Sequence, residues 1–152
     1  MDKKTEVVNV LNDLLEKNCD SKRGYQKAAE EIDQPTLKGW LMSLAEQREN
    51  FKKSIKEEIR FLGGEPIVFR QVSGSVQEAF SNSDMLFILN SIDTTLAQCL
   101  QYELQMLHDF SKSLKQKTVV PSTINLVIGQ QENIKVALSD LEVMTNNPSL
   151  SL

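Results

Sequence analysis

Apolar residues recur at alternating steps of four and three over four long stretches of the chain. The first, from about Thr5 to Ile32, aligns Val7, Leu11, Leu14, Asn18, Ser21, Tyr25, Ala28 and Ile32, with Leu15 and Ala29 beside them. This alternation is the seam of a packed bundle helix. Asp33-Gln34-Pro35-Thr36 interrupts it, and Pro35 suits the first turn of a second helix, where its missing N–H is no loss. That helix runs to Leu62 through Leu37, Leu41, Leu44, Arg48, Phe51, Ile55, Glu58 and Leu62, with Trp40 and Ile59 flanking. Gly63-Gly64 and then Pro66 end it, since glycine takes the left-handed closing conformation and proline blocks a restart.

The third stretch is predicted to begin at Ser83-Asp84, with Ser83 as N-cap. Its seam is Leu89, Asp93, Leu96, Leu100, Glu103, Leu107, Phe110 and Leu114, closing on Lys112, Lys115 and Lys117. After Val119-Val120-Pro121-Ser122 a fourth helix runs to about Met144, with Ile124, Ile128, Gln131, Ile134 or Lys135, Leu138 and Leu141 inward. The bundle domain is thus residues 1–145, and 146–152 form a frayed tail. Gly24 and Gly129, inside helices, are expected to permit close helix approach.

The connections decide the topology. The first and last are short, so each joins an antiparallel hairpin. The middle one, from Gly63 to Ser83, reaches about 70 Å when extended, whereas a 28-residue helix is about 42 Å long. It can run the length of the bundle and make the second and third helices parallel. The expected fold is therefore all-α: a ferritin-like four-helix bundle with one long crossover between helices 2 and 3. In that crossover Val68, Phe69, Val72, Val76 and Phe80 can pack on the bundle, and Ser75 to Ser81 is expected as a short helix.

The seams turn polar at one depth: Asn18 and Ser21, Arg48, Glu103, and Gln131, with Asp93 a further candidate on the third helix. Ferritin-like di-iron proteins carry there a Glu from each of two helices and a Glu-x-x-His pair from each of the others. Here the paired positions read Ala45-x-x-Arg48 and Ile128-x-x-Gln131. Glu103 is the one ligand type retained, no Glu-x-x-His occurs, and Arg48 puts a positive charge where a cation would sit. The sequence therefore predicts no standard di-iron site, no metal and no cofactor. It predicts a polar core layer of Asn18, Tyr25, Arg48, Glu103 and Gln131, with Arg48 and Glu103 as an ion pair. A small pocket around these residues is the alternative use of the layer.

Composition narrows the remaining classes. With 152 residues and 40% apolar content, the chain makes one domain with one core. The net charge of −4 disfavours nucleic acid, no apolar run is long enough to span a membrane, and no basic amphipathic face suits a membrane surface. The N-terminus has no secretory-signal pattern, and Cys19 and Cys99 make no disulfide framework, so the expected location is cytoplasmic. Neither cysteine has a CxxC partner or a base, and no nucleophile–base or phosphate-loop motif is present. His108 lies beside the seam, on the half-exposed side. Glu46, Glu49 and Lys53 belong to a solvated helix face.

The run Asn18-Cys19-Asp20-Ser21-Lys22-Arg23-Gly24-Tyr25-Gln26-Lys27-Ala28-Ala29-Glu30, the segment Ala45-Glu46-Gln47-Arg48-Glu49-Asn50-Phe51, Leu62-Gly63-Gly64-Glu65-Pro66 and Ser73-Gly74-Ser75-Val76 together resemble a bacterial family, domain of unknown function two-three-eight-three. The resemblance covers roughly residues 8–115 and implies a ferritin-like four-helix bundle. It departs after Val76, where Gln77-Glu78-Ala79-Phe80 replaces an aromatic-containing His-Arg stretch, and at Thr94-Thr95-Leu96, where a Gly-Glu-Asp run is usual. The family brings no activity, substrate or cofactor. The expected function is a non-enzymatic interaction or stress-associated module, forming a homo-oligomer (a dimer) or binding a protein partner. The alternative is a metal-binding (iron) or redox protein drawing on Glu103, Asp93, Glu46, Glu49 and His108.

Overall fold

A computed structural model describes residues 2–67, 91–115 and 120–146. They form four helices: α1 (Lys3–Glu31), α2 (Pro35–Phe61), α3 (Ile92–Leu114) and α4 (Pro121–Thr145). The local chemistry at their ends explains the boundaries. Asp2 Oδ1 accepts from Thr5 N–H at 2.7 Å, and Gln34 Oε1 accepts from Leu37 N–H at 2.6 Å just before Pro35. Gly63, at φ +80°, and Gly64 donate to the carbonyls of Arg60 and Ile59, the paired bonds of a Schellman stop.

The packing gives the directions. Tyr25, Ala28 and Ile32 of the α1 end share a cluster with Leu37, Leu41 and Leu44 of the α2 start, Leu96 and Cys99 of α3, and Ala137, Leu141 and Met144 of α4. At the other end Val7, Leu11, Leu14 and Leu15 meet Phe51, Ile55, Ile59, Met106, Phe110, Val127 and Ile134. The starts of α2 and α3 therefore lie at one end, and these helices run parallel. A long connection between them completes an all-α four-helix bundle of ferritin-like topology.

The inward series of α1 is buried at every expected position. Four details differ. Along α2, Ile59 is buried where Glu58 was expected, and Glu58 is half-buried, accepting hydrogen bonds from Ser122 and Thr123. The helix carrying Glu103 opens at Ser91, whose Oγ accepts from Thr94 N–H at 3.0 Å, and Asp93 is an exposed first-turn residue suited to the helix dipole. Along α3, Leu96, Glu103 and Phe110 are buried as expected, but Cys99, Met106 and Ser113 complete the seam in place of Leu100, Leu107 and Leu114. Along α4 the seam is Thr123, Val127, Gln130, Ile134, Ala137, Leu141 and Met144, so Ile124, Ile128 and Gln131 rotate away from the centre. Both helices are apolar on either side of the true seam, so a turn of one residue costs little apolar burial. The expected start at Ser83, the crossover residues Val68 to Phe80, Lys117 and residues 147–152 lie outside the described residues.

Close approach occurs at Gly64, not at Gly129. A Cβ on Gly64 would lie 2.6 Å from Val8 Cγ2 and 3.3 Å from Ile59 Cγ2, whereas one on Gly129 meets nothing within 4 Å. Val8 is stiff at χ1 and cannot swing aside freely. Gly64→Ala is expected to cost about 1–3 kcal/mol through overpacking. Urea denaturation checks it, and Val8→Ala in the same chain should recover most of the loss.

Candidate functional site

Between the two apolar clusters lies a polar layer, drawn from two turns of α1 and about one turn of each other helix. Arg48 and Glu103, both fully buried, form an ion pair from Nη2 to Oε2. Tyr25 Oη donates to the same Glu103 oxygen at 2.7 Å. Arg48 Nε donates to Ser21 Oγ at 3.1 Å, and Nη1 donates to Gln47 Oε1 at the edge of α2. The guanidinium also faces the rings of Tyr25 and Phe51, with centroids 5.8 and 5.6 Å from Cζ. One arginine thus ties α1, α2 and α3 together.

Asn18 is buried and donates to Leu14 O at 2.8 Å, one turn back in its own helix. On α4 the core amide is Gln130, whose Nε2 donates to Phe51 O at 3.3 Å. Gln131 instead sits half-buried and donates to Ser111 Oγ at 2.8 Å, outside the layer. The sequence reading missed Gln130 and Gln47. Its error at α4 is the one-residue rotation, between two neighbouring glutamines of identical chemistry. Asn18 Oδ1, Glu103 Oε1 and Gln130 Oε1 have no hydrogen-bond donor among the described residues. All three are acceptors, so the free side of the layer suits a donor such as water.

The environment keeps its titratable groups neutral or paired. Burial, and then the Glu103 charge, push the Tyr25 phenol well above its ordinary range. The same two causes push up the Cys99 thiol, which is therefore protonated and a poor nucleophile. Cys19 is also a buried free thiol. Just outside the layer, hydrogen bonds from Lys22 Nζ at 2.7 Å and Lys52 Nζ at 3.2 Å hold the Glu49 carboxyl down at about 2. A folded-state value below the unfolded one stabilises the protein above pH ~4.5 and ceases to do so as pH falls towards ~2. The Glu49 side chain is 31% exposed, so solvent screening reduces its contribution to about 1 kcal/mol. Glu49→Gln is expected to lose that amount at pH 7, and most of that difference is expected to vanish as pH falls through about 2, read as the difference between two urea titrations.

A di-iron pair does not fit this layer. It needs several carboxylates and imidazoles converging with free lone pairs. Among the described residues the carboxylate at the centre of the layer, Glu103, has one oxygen already taken by a phenol and a guanidinium. The other candidate ligands are dispersed: Asp93, Glu46 and His108 are exposed, and Glu49 is held by two lysines. Among the described residues no three His, Cys, Asp or Glu side chains converge as a metal-holding group.

Fold and layer together define a ferritin-like four-helix bundle with a buried charged layer at its middle. The structure is similar to a Dps1 point mutant from Mycobacterium smegmatis, with a TM-score of 0.76 and 15% identity over 95% of this chain and 97% of that one. It is also similar to a dodecameric thioferritin, the bacterioferritin-related protein from Bacteroides fragilis, with a TM-score of 0.75 and 15% identity over 93% of this chain and 84% of that one. At residues 6–116 the chain matches the Domain of unknown function (DUF2383), and it belongs to that family. No curated protein matches it in sequence. Among the described residues no helix is long and apolar enough to cross a membrane.

Proposed function

We propose that this chain is a ferritin-like bundle in which an internal ion pair takes the structural place of a metal centre. It works through its surface, without catalysis, as a self-associating interaction module. The carrying observation is the position of Arg48, fully buried and bonded to Glu103, Ser21 and Gln47 at the middle of the bundle. The layer thus supplies its own cation, and a second positive charge beside the guanidinium would be repelled. The neutral Tyr25 and Cys99 lie beside Glu103 without an activated nucleophile or base, which supports a non-enzymatic reading. A bundle neighbour described as dodecameric supports self-association. Buried free thiols at Cys19 and Cys99 suit a reducing cytoplasm.

Anaerobic Fe(II) titration of the purified chain, followed by oxygen exposure and elemental analysis, tests this reading. No stoichiometric binding is expected at tens of micromolar metal, a range that includes ordinary weak surface association. Stoichiometric binding followed by oxidation would overturn it and make the protein a metal-handling bundle with a different ligand set.

A further inference from the structure

We infer that the outer face of α4 is a two-fold interface with a second copy of this chain. This rests on the self-association proposed above and names the surface that carries it. The first observation is charge. Over Pro121–Thr145 the charged residues are Glu132, Lys135, Asp140 and Glu142, as few as the four of α3 (Asp93, Glu103, Asp109 and Lys112), whereas α1 and α2 each carry ten or more over a similar length. Depletion of charge distinguishes the centre of a protein interface from ordinary surface.

The second observation is the placement of exposed aliphatic side chains. Ile128, Val136 and Val143 are 43, 60 and 69% exposed. At 100° per residue they fall within about 80° of one another, on the side away from the Val127–Ile134–Leu141 core line. A helix packed on one side only gains nothing from a second apolar stripe facing water. Gly129 and Ser139 lie on the same exposed side, and nothing stands within 4 Å of where a Gly129 Cβ would be, so this face is open to close approach.

The third observation selects the occupant. Ile128 and Val143 are placed symmetrically about the Lys135–Val136 bond. An antiparallel pairing with its two-fold axis at that bond sets Ile128 against Val143 of the second copy and Val136 beside its own counterpart. Glu132, paired with Lys135 of its own helix at 3.2 Å, then faces Ser139, and Lys135 lies one turn from Glu132 and Asp140 of the second copy. Acidic residues do not stand opposite one another, and the apolar positions match. A face that complements itself under a two-fold rotation fits a closed dimer, the commonest symmetric assembly.

Sedimentation velocity at about 100 µM, well above the dissociation constant of a specific dimer, tests this with two variants. The wild-type chain is expected to self-associate. Val136→Asp sets two carboxylates on the axis and should weaken association roughly 100-fold, with an unchanged far-UV circular dichroism spectrum. Val136→Cys should form a disulfide-linked dimer under mild copper–phenanthroline oxidation, while Lys53→Cys on the charged face of α2 should not. A monomeric wild type would overturn both this inference and the self-association proposed above. An oligomer unmoved by Val136→Asp, with no preferential cross-link at position 136, would overturn the α4 assignment and leave self-association standing. If Val136→Asp does not fold, the cross-linking comparison decides.

Discussion

Arg48→Met is expected to lower the unfolding free energy by about 3–5 kcal/mol, which urea denaturation at pH 7 measures directly. The change strips the counter-charge from Glu103 at a position closed to water and leaves a buried carboxylate bonded to a single phenol. Removing the charges together is expected to behave differently. Arg48→Met with Glu103→Leu and Tyr25→Phe takes away both ions and the hydroxyl that would otherwise lose its acceptor. That variant should match the wild type or exceed it by up to about 4 kcal/mol, because the desolvation of both ions is no longer incurred. A single Arg48→Met chain with undiminished stability would show that the pair does not form in solution.

Phe110→Ala is expected to cost a similar amount, about 3–5 kcal/mol, by a different mechanism. The Phe110 ring is fully buried, with its centroid 6.1 Å from that of Phe51, and its removal leaves a cavity in the cluster at that end of the bundle. At about 2–4 °C per kcal/mol for a chain of this size, the melting temperature should fall by roughly 6–20 °C in calorimetry. Leu41→Ala probes the opposite cluster. Positions 41 and 110 lie about seven residues to either side of the polar layer, some 20 Å apart at 1.5 Å per residue. Their costs should therefore add to within about 0.5 kcal/mol. A larger coupling would mean that the polar layer transmits strain between the two halves.

The contrast between α1 and α4 shows what the amino-acid pattern could carry. Along α1 charged residues fill much of the helix outside the seam from Val7 to Ile32, so one rotation buries the apolar stripe, and each position of that seam was legible. Along α4, Leu126, Val127 and Ile128 are consecutive aliphatics, and Gln130 adjoins Gln131. Burial alone distinguishes neighbouring rotations weakly there, and contacts from other helices choose between them. The Arg48–Glu103 pairing was legible because each residue interrupts an apolar seam at the same depth. Gln47 was not, because its contribution to the layer depends on the direction of one guanidinium N–H. Asn12 was missed for another reason: its partners are backbone atoms, which leave no mark in a residue pattern. Its Nδ2 donates to Glu65 O at 3.2 Å, and its Oδ1 accepts from Ile67 N–H at 2.9 Å.

That grip by Asn12 bears on how the chain chooses its topology. Everything it joins lies within the first 67 residues, which a ribosome releases before α3 exists. Once α1 and α2 have met, the Schellman stop turns the backbone and Asn12 holds the next residues against α1. Residues 65–67 are thus held on the α1 side of the first hairpin. The corner at which the chain leaves that hairpin is tied by contacts that need neither α3 nor α4.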